Sequence, residues 1–357
     1  MLTDLSTAFL KRLLDTPGPS GYERAPAAVW REYARGFADV SADVLGNSYA
    51  AAGPAAGSAP TILLAGHVDE IGLIISHVDD DGYVYVGAIG GWDPQVLVGQ
   101  RVRFEGRDGA VLGVVGKKPI HLMKPDERDK ASKLCDLWVD VGSANKAETL
   151  ARLEVGDAGV LDTPLLELPN GRIVSRSIDN RVGAFVVVEA LRRYAERPGA
   201  ARVVAVATTQ EEIAWRGGGA LPSAVRVQPA MSVVVDVTFA TDHPGVEKKE
   251  IGEAKLGGGP VFTRGSVVSP VAYRLLRGAA ERLAIPFQMH AAGRESFTDA
   301  DAIHNAASGV ATALVSIPNR YMHSPNEMVS LDDLDRAAEV IAEACRGVTA
   351  DTDFTDR

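Results

Sequence analysis

The sequence predicts an α/β fold in which a large domain with a mostly parallel sheet is interrupted by a small antiparallel, barrel-like β-module. Three observations predict it. From Arg172 onward, short apolar runs alternate with helix-period segments, the pattern of βαβ units and hence of a parallel sheet. Between Gly72 and about Leu161 that texture gives way to β-hairpins with almost no helical periodicity. The chain has 357 residues with 46% apolar side chains, long enough for one large domain or two medium ones and able to bury a sizeable core. The economical partition puts residues 1–69 and 164–357 in one discontinuous α/β domain and residues 70–163 in an inserted β-domain.

In chain order, the segment from Thr3 to Leu14 carries apolar residues at helical spacing and is stopped by PGPSG at Pro17 to Gly21, so it reads as a helix. TILLAG, Thr61 to Gly66, is a short apolar run with the texture of a buried strand. LIISHV and YVYVGAI flank DDDG, and VRFEG and AVLGVVG flank RDG, so each pair reads as a hairpin. Asp79 to Asp81 with Gly82 is therefore a turn before it is a calcium loop. Within the module only SANKAETLARL has helical spacing. Next come strand IVSRSI, helix NRVGAFVVVEALRRYAE, strand RVVAVATT, a short helical stretch and strand SVVVDV. Gly257 to Gly259 lacks a following Lys-Ser/Thr and reads as a turn, not a phosphate cradle. Pro270 to Leu283 is a helix with Ser269 as N-cap and Pro270 at its first position, and strand ATALVSI follows. The last helix, LDDLDRAAEVIAEAC, starts after Ser330, with Asp333 three positions on as a capping-box partner.

The formal net charge of −10 argues against nucleic acid, which needs a basic face, and favours small or peptidic substrates. No apolar stretch reaches the roughly 18 residues that cross a bilayer. The opening MLTDLSTAFLKRLLD has no basic segment followed by an unbroken apolar run, so neither export nor membrane insertion is expected and the expected compartment is cytoplasmic. Cys135 and Cys345 stand outside any metal-type spacing, and both are expected to be ordinary buried thiols.

The polar residues capable of chemistry fall at one kind of place. His67 and Asp69 follow TILLAG, Asp179 follows IVSRSI, Glu211 and Glu212 follow RVVAVATTQ, Asp236 ends SVVVDV, and His323 follows ATALVSI. In an open parallel sheet the carboxyl ends of the strands share one edge, and ligands bind in the crevice outside it. Carboxylates gathered there repel one another by several kcal/mol unless cations balance them. Two imidazoles and three carboxylates exceed the ligand set of one open tetrahedral zinc and suit two ions sharing a carboxylate. The expected metal ligands are therefore His67, Asp179, Glu212, Asp236 and His323. Asp69 is placed to hold the other nitrogen of the His67 ring. Glu211, beside Glu212, is the candidate general base.

Alone, any one of these residues is more simply a solvated loop residue or a cap, and only their joint placement points to a site. For His77, His290 and His304 a surface or packing role comes first. His121, in KPIHLMKP, could meet a neighbouring subunit, and His243 could line the pocket.

PGPSGYE, GHVDEIG, IGGWDPQ, KPIHLMKPDER, SIDNRVG, ATTQEE, VDVT and YMHSPNE, in this order, resemble the tetrahedral aminopeptidase family. That family includes glutamyl and deblocking aminopeptidases and relatives described as endoglucanases. The resemblance runs from about Leu10 to Glu343. It implies an aminopeptidase-type α/β catalytic domain and an inserted β-domain used for dimerisation, with dimers built into a tetrahedral homododecamer. Carried over by position, it implies that Asp179 bridges two divalent ions, Zn2+ or alternatively Co2+. His67 and Asp236 would complete one site and Glu212 and His323 the other, with Glu211 as base and Asp69 as helper. The implied reaction removes N-terminal residues from short peptides.

Two departures stand out. Many relatives have Gly after the QEE-plus-aliphatic string, where this chain has Ala214 followed by Trp215. Many also carry Gly-Gly before the late Thr-Asp, where this chain has Ser296 and Phe297 before Thr298 and Asp299. Both bear on which substrate side chain is read, not on the metal chemistry. Competing readings are an N-acyl amino acid deacylase, a metal-free glycoside hydrolase using paired carboxylates, and a shell-forming scaffold with a dead site. The seven competent side chains disfavour the last.

Overall fold

An unbroken apolar strand must be covered on both faces, and Thr61–His67 is. Ile62 and Leu64 point into a core shared with helices Asp4–Asp15, Arg24–Ala34, Ile178–Glu196, Pro270–Leu283 and Leu331–Arg346. Leu63 and Ala65 point the other way, under helices Ala220–Val227 and Asp299–His304. The computed structural model describes residues 2–57, 59–214, 217–265 and 267–355; Trp215 lies outside them.

The main sheet has eight strands in the order Asp39–Ala42, Ser48–Ala52, Arg202–Thr208, Thr61–His67, Met231–Phe239, Ala311–Asn319, Val261–Arg264 and Gln288–Ala291. The four from Arg202–Thr208 to Ala311–Asn319 are mutually parallel, so their carboxyl ends share one edge. Ser48–Ala52 and Val261–Arg264 flank them antiparallel. The sheet is thus mostly parallel, as the alternating pattern predicts.

Helix Ile178–Glu196 is buried along nearly its whole length. Two glycines let it lie directly on the strands. A β-carbon at Gly66 would stand 2.5 Å from the Gly183 backbone, and one at Gly183 would stand 2.5 Å from the Val235 carbonyl oxygen. The start of the helix is thereby brought against the strand ends that carry His67 and Asp236. Behind it, the buried Arg181 guanidinium donates to the carbonyls of Leu13, Thr16, Gly18 and Val68 and to the Glu70 carboxylate, which also receives Arg176 at 2.7 Å.

The module is a closed antiparallel barrel, in the order Gly72–Val78, Val84–Ile89, Trp138–Asp140, Gly109–Gly116, Arg101–Gly106 and Ala158–Leu161. It has its own core, including Leu73, Ile75, Val102, Phe104 and Val139. The DDDG segment forms the expected hairpin turn, with Gly82 at φ 93° and the Asp79 carboxylate accepting the Tyr83 N–H.

Several expectations are corrected. IVSRSI does not join the parallel sheet. Its strand, Arg172–Ser175, is the middle of a separate antiparallel sheet between Leu166–Leu168 and Glu327–Ser330, because an apolar run reports burial and not the identity of its partner. The Ser330 capping box does not form. Asp333 turns away to accept the Gly257 and Gly259 N–H groups at 2.7 and 2.8 Å, which fixes the glycine turn instead. Cys345 is buried but Cys135 is exposed, on the short turn Leu134–Asp136 at the barrel surface. Helix Arg24–Ala34 and strands Asp39–Ala42 and Ser48–Ala52 lie where no element was expected. Among the described residues no helix is long and apolar enough to cross a membrane.

Candidate active site

Four of the five expected segments reach the site from the shared edge of the parallel strands; the fifth, carrying Asp179, arrives from the antiparallel sheet through the start of the central helix. The His67 Nε2 stands 3.2 Å from one Asp179 oxygen, 3.7 Å from Glu211 and 3.9 Å from Asp236. The His323 Nε2 stands 3.4 Å from the other Asp179 oxygen and 3.5 Å from Glu212. One Asp179 oxygen thus faces each imidazole. Donor atoms of His67, Asp179 and Asp236 lie within 4.8 Å of one another, and so do those of Asp179, Glu212 and His323. Ligands bound at about 2 Å to one tetrahedral ion stand about 3.3 Å apart, so both groups are close to coordinating geometry.

The backbone that presents these groups is unusual. Ser177, Gln210 and His323 have φ of 64°, 60° and 57°, the left-handed region that non-glycine residues enter at a cost of order 1–3 kcal/mol and mostly at functional sites. Asp69 is fully buried and accepts the N–H groups of Glu211 at 3.3 Å and Glu212 at 3.1 Å, which fixes the turn bearing both. Its oxygen also lies 3.4 Å from the His67 Nδ1, yet off the hydrogen-bond direction, so that nitrogen is left without a bond.

Two further groups went unnoticed in the sequence. Glu327, buried, accepts the N–H groups of Asp179 and His323, both at 2.9 Å, and so ties the two together. The Gly91 carbonyl, from the barrel loop IGGWDPQ, lies 2.8 Å from the His323 Nδ1 and orients that ring. The only signal for either was membership of a site-bearing string.

The electrostatics are those of acids short of positive charge. Burial, with the neighbouring charges of Asp236, Asp299 and Glu212, drives the Glu211 carboxyl up to about 10. Burial likewise pushes Glu212 up and Asp236 and Glu327 well up. Hydrogen bonds to Asp179 and Glu212 raise the His323 imidazole to about 11. Burial opposes charge on His67, but the Asp69 and Asp179 carboxylates overcome it and hold the ring well above its ordinary value. Asp179 moves the other way, because the two imidazoles outweigh its burial. A buried Glu212 oxygen also has no hydrogen-bond partner. Clustered acids with an orphaned oxygen, interleaved with imidazoles, fit a pair of divalent cations, and the nitrogen and oxygen donors suit zinc or cobalt.

The remaining histidines divide. His290 is half-buried in the wall of the cavity that holds the cluster. His243 is not among that cavity's lining residues; it contacts the Pro244 carbonyl at 2.9 Å and the Tyr321 ring. His77 and His121 are exposed on the barrel module, and His304 ends a short helix, half-buried.

Comparison with known proteins accords with this geometry. The model of the M42 glutamyl aminopeptidase family matches residues 46–340. The chain is 34% identical over 351 residues to a lysyl aminopeptidase of Pyrococcus furiosus, covering 97% of this chain and 98% of that one. Among solved structures, it superposes on a TET aminopeptidase from a marine-sediment thaumarchaeon with a TM-score of 0.91 at 34% identity, covering 97% of each chain. It superposes on the Pyrococcus horikoshii TET1 peptidase, which can assemble into a tetrahedron or a large octahedral shell, with a TM-score of 0.82 at 29% identity, covering 95% of this chain and 98% of that one. With the fold, the strand-end cluster and these matches in agreement, the chain belongs to the M42 glutamyl aminopeptidase family and is a peptide-bond hydrolase.

Proposed function

We propose that the protein is a dinuclear metallo-aminopeptidase that removes N-terminal residues from short peptides. The observation that carries this reading is the placement of Asp179, whose two oxygens face different imidazoles at 3.2 and 3.4 Å. His67 and Asp236 would hold one ion with Asp179, and Glu212 and His323 would hold the other with it. When bound, two divalent ions polarise the scissile carbonyl and bring the pKa of water to about 7.

The chain's own groups do the rest. Glu211 faces the cavity; with the charge of the bound cations offsetting the burial and neighbouring acids that raise its carboxyl, it would take a proton from the attacking water, whose oxygen joins the acyl carbon. As the C–N bond breaks, Glu211 returns that proton to the departing amine. The unneutralised acidity of the cleft holds the substrate's α-ammonium. Asp69 keeps Glu211 and Glu212 in register through their backbone N–H groups. On this reading residues 1–69 and 164–357 form the catalytic domain and residues 70–163 a dimerisation domain. The shells formed by the P. horikoshii relative support a closed assembly of many copies here, which the resemblance makes a dodecamer.

Glu211→Gln tests the mechanism. It should lower kcat on aminoacyl amides by roughly 10²-fold or more while metal content stays at two ions per chain, because the base is lost and no ligand is. Full turnover in that variant removes Glu211 from the chemistry. Turnover that survives exhaustive chelation removes the metals.

A further inference from the structure

Phe297 is a large apolar side chain left 76% exposed beside the site, on a backbone with φ 56°. Both properties are costly, since the left-handed region suits residues without a bulky β-carbon and an uncovered ring orders water around it. The conformation is nevertheless fixed. Asp301, on helix Asp299–His304, accepts the Phe297 N–H at 2.9 Å, the Ser296 N–H at 3.0 Å and the Ser296 hydroxyl at 2.9 Å. A strained turn pinned to a helix aims the ring, and an outlier of this kind beside reactive groups is a ground for inferring a role.

Its surroundings say which role. Cavities of about 640 and 670 Å³ open on either side of residues 295–298, and Glu211 faces both. Phe297 lines both, so its ring is part of the partition between them. The first cavity holds the acid cluster, and its apolar walls include Phe239, Ile251, Met322 and Phe297. Phe239 is 58% exposed and Ile251 40% exposed, so these side chains offer uncovered apolar area to whatever enters. The charged groups on the same walls, Glu250 and Glu295 against Arg294, leave one net negative charge, which disfavours an acidic guest, and the uncovered apolar area is what favours an apolar one.

Resting on the aminopeptidase reading, we propose that Phe297 is a specificity-determining residue that selects peptides whose N-terminal residue carries a large apolar side chain. The α-amino group and scissile carbonyl lie at the acid cluster. The side chain lies along Phe239 and Ile251 with the Phe297 ring closing over it, while the departing peptide runs out past the other side of the partition.

The test measures kcat/KM of the metal-loaded enzyme on leucyl, phenylalanyl, alanyl, lysyl and glutamyl p-nitroanilides, for the wild type, Phe297→Gly and Phe297→Leu. Glycine accepts the φ without strain, so the first variant keeps the fold, and leucine keeps apolar bulk. The wild type is expected to favour the leucyl and phenylalanyl substrates. Phe297→Gly should lower the leucyl-to-alanyl ratio by about 10-fold or more, mainly through KM, and Phe297→Leu should retain most of it. A wild type that favours lysyl or glutamyl substrates, or an unchanged ratio in Phe297→Gly, overturns the proposal. A wild type that cleaves none of the five yet hydrolyses N-acyl amino acids defeats the aminopeptidase reading itself, and this inference with it.

Discussion

Asp179 turns one oxygen toward each imidazole, whereas Asp236 belongs to the His67 side alone, and that asymmetry has a measurable consequence. Asp179→Ala should lose both ions, and Asp236→Ala should lose one and keep the other, as read by elemental analysis after dialysis against metal-free buffer. Two ions retained by Asp179→Ala would mean that it bridges nothing. Much of this residue-level picture was legible in the sequence, because an acid or imidazole ending an apolar run has few places to go but the sheet edge. Glu327 was not, since its contacts are the N–H of His323, four residues away, and the N–H of Asp179, 148 residues away, and neither leaves a periodic trace. Phe297 was visible only as a departure from glycine, without its direction.

Between residues and fold lie the elements that carry them, and two contacts there make separate predictions. The barrel loop reaches His323 through Gly91, where an added β-carbon would stand 3.2 Å from the imidazole Nδ1. Gly91→Ala should therefore tilt that ring and cost about 10- to 100-fold in affinity for one of the two ions, seen in a metal titration as one weakened site beside one unchanged site. Equal affinities in the variant and the parent would show that the loop is a bystander. The segment leading to His323 is held by Arg320, which meets the Asp242 carboxylate at 2.9 and 2.8 Å. Burial would raise the Asp242 carboxyl, but the guanidinium wins and holds it below its ordinary value. A carboxyl that titrates lower folded than unfolded adds stability above the unfolded pKa of about 3.9, and that stability disappears as pH falls through the folded value. Asp242→Asn should thus destabilise by about 1 kcal/mol at pH 7 in urea melts, with the deficit shrinking under acid conditions. A deficit that is constant with pH would exclude the ion pair as its source. At this scale the sequence was readable wherever a pattern had one interpretation: the central strands, the two hairpins, and the helix capped by Ser269, whose hydroxyl does accept the Ala272 N–H. It misled where burial was mistaken for membership, as in Arg172–Ser175, and where Asp333 had a better partner than its own helix.

For the whole molecule, the arrangement proposed from the barrel and from the relatives' shells can be weighed directly. Light scattering should give a particle of twelve 37.7 kDa chains, falling to dimers or monomers when the barrel's outer face is disrupted. A monodisperse monomer at working concentration would exclude the shell. Assembly was the level least legible in the sequence, because subunit contacts need no periodicity and the acidic net charge says only what the surface avoids.

Arg181 bears on how the chain can be handled. It is fully buried, and burial pulls its guanidinium down to about 10 even with Glu70 beside it. Three of the carbonyls that satisfy it belong to Leu13, Thr16 and Gly18. The first eighteen residues are thus no detachable tail. Trimming them to ease crystallisation or to install a fusion partner would strip acceptors from a sequestered cation a few residues from Asp179, an injury of the kind that costs about 3–5 kcal/mol. Tags belong at the opposite terminus, well after Val348, which is still fully buried in the core beyond the helix Leu331–Arg346.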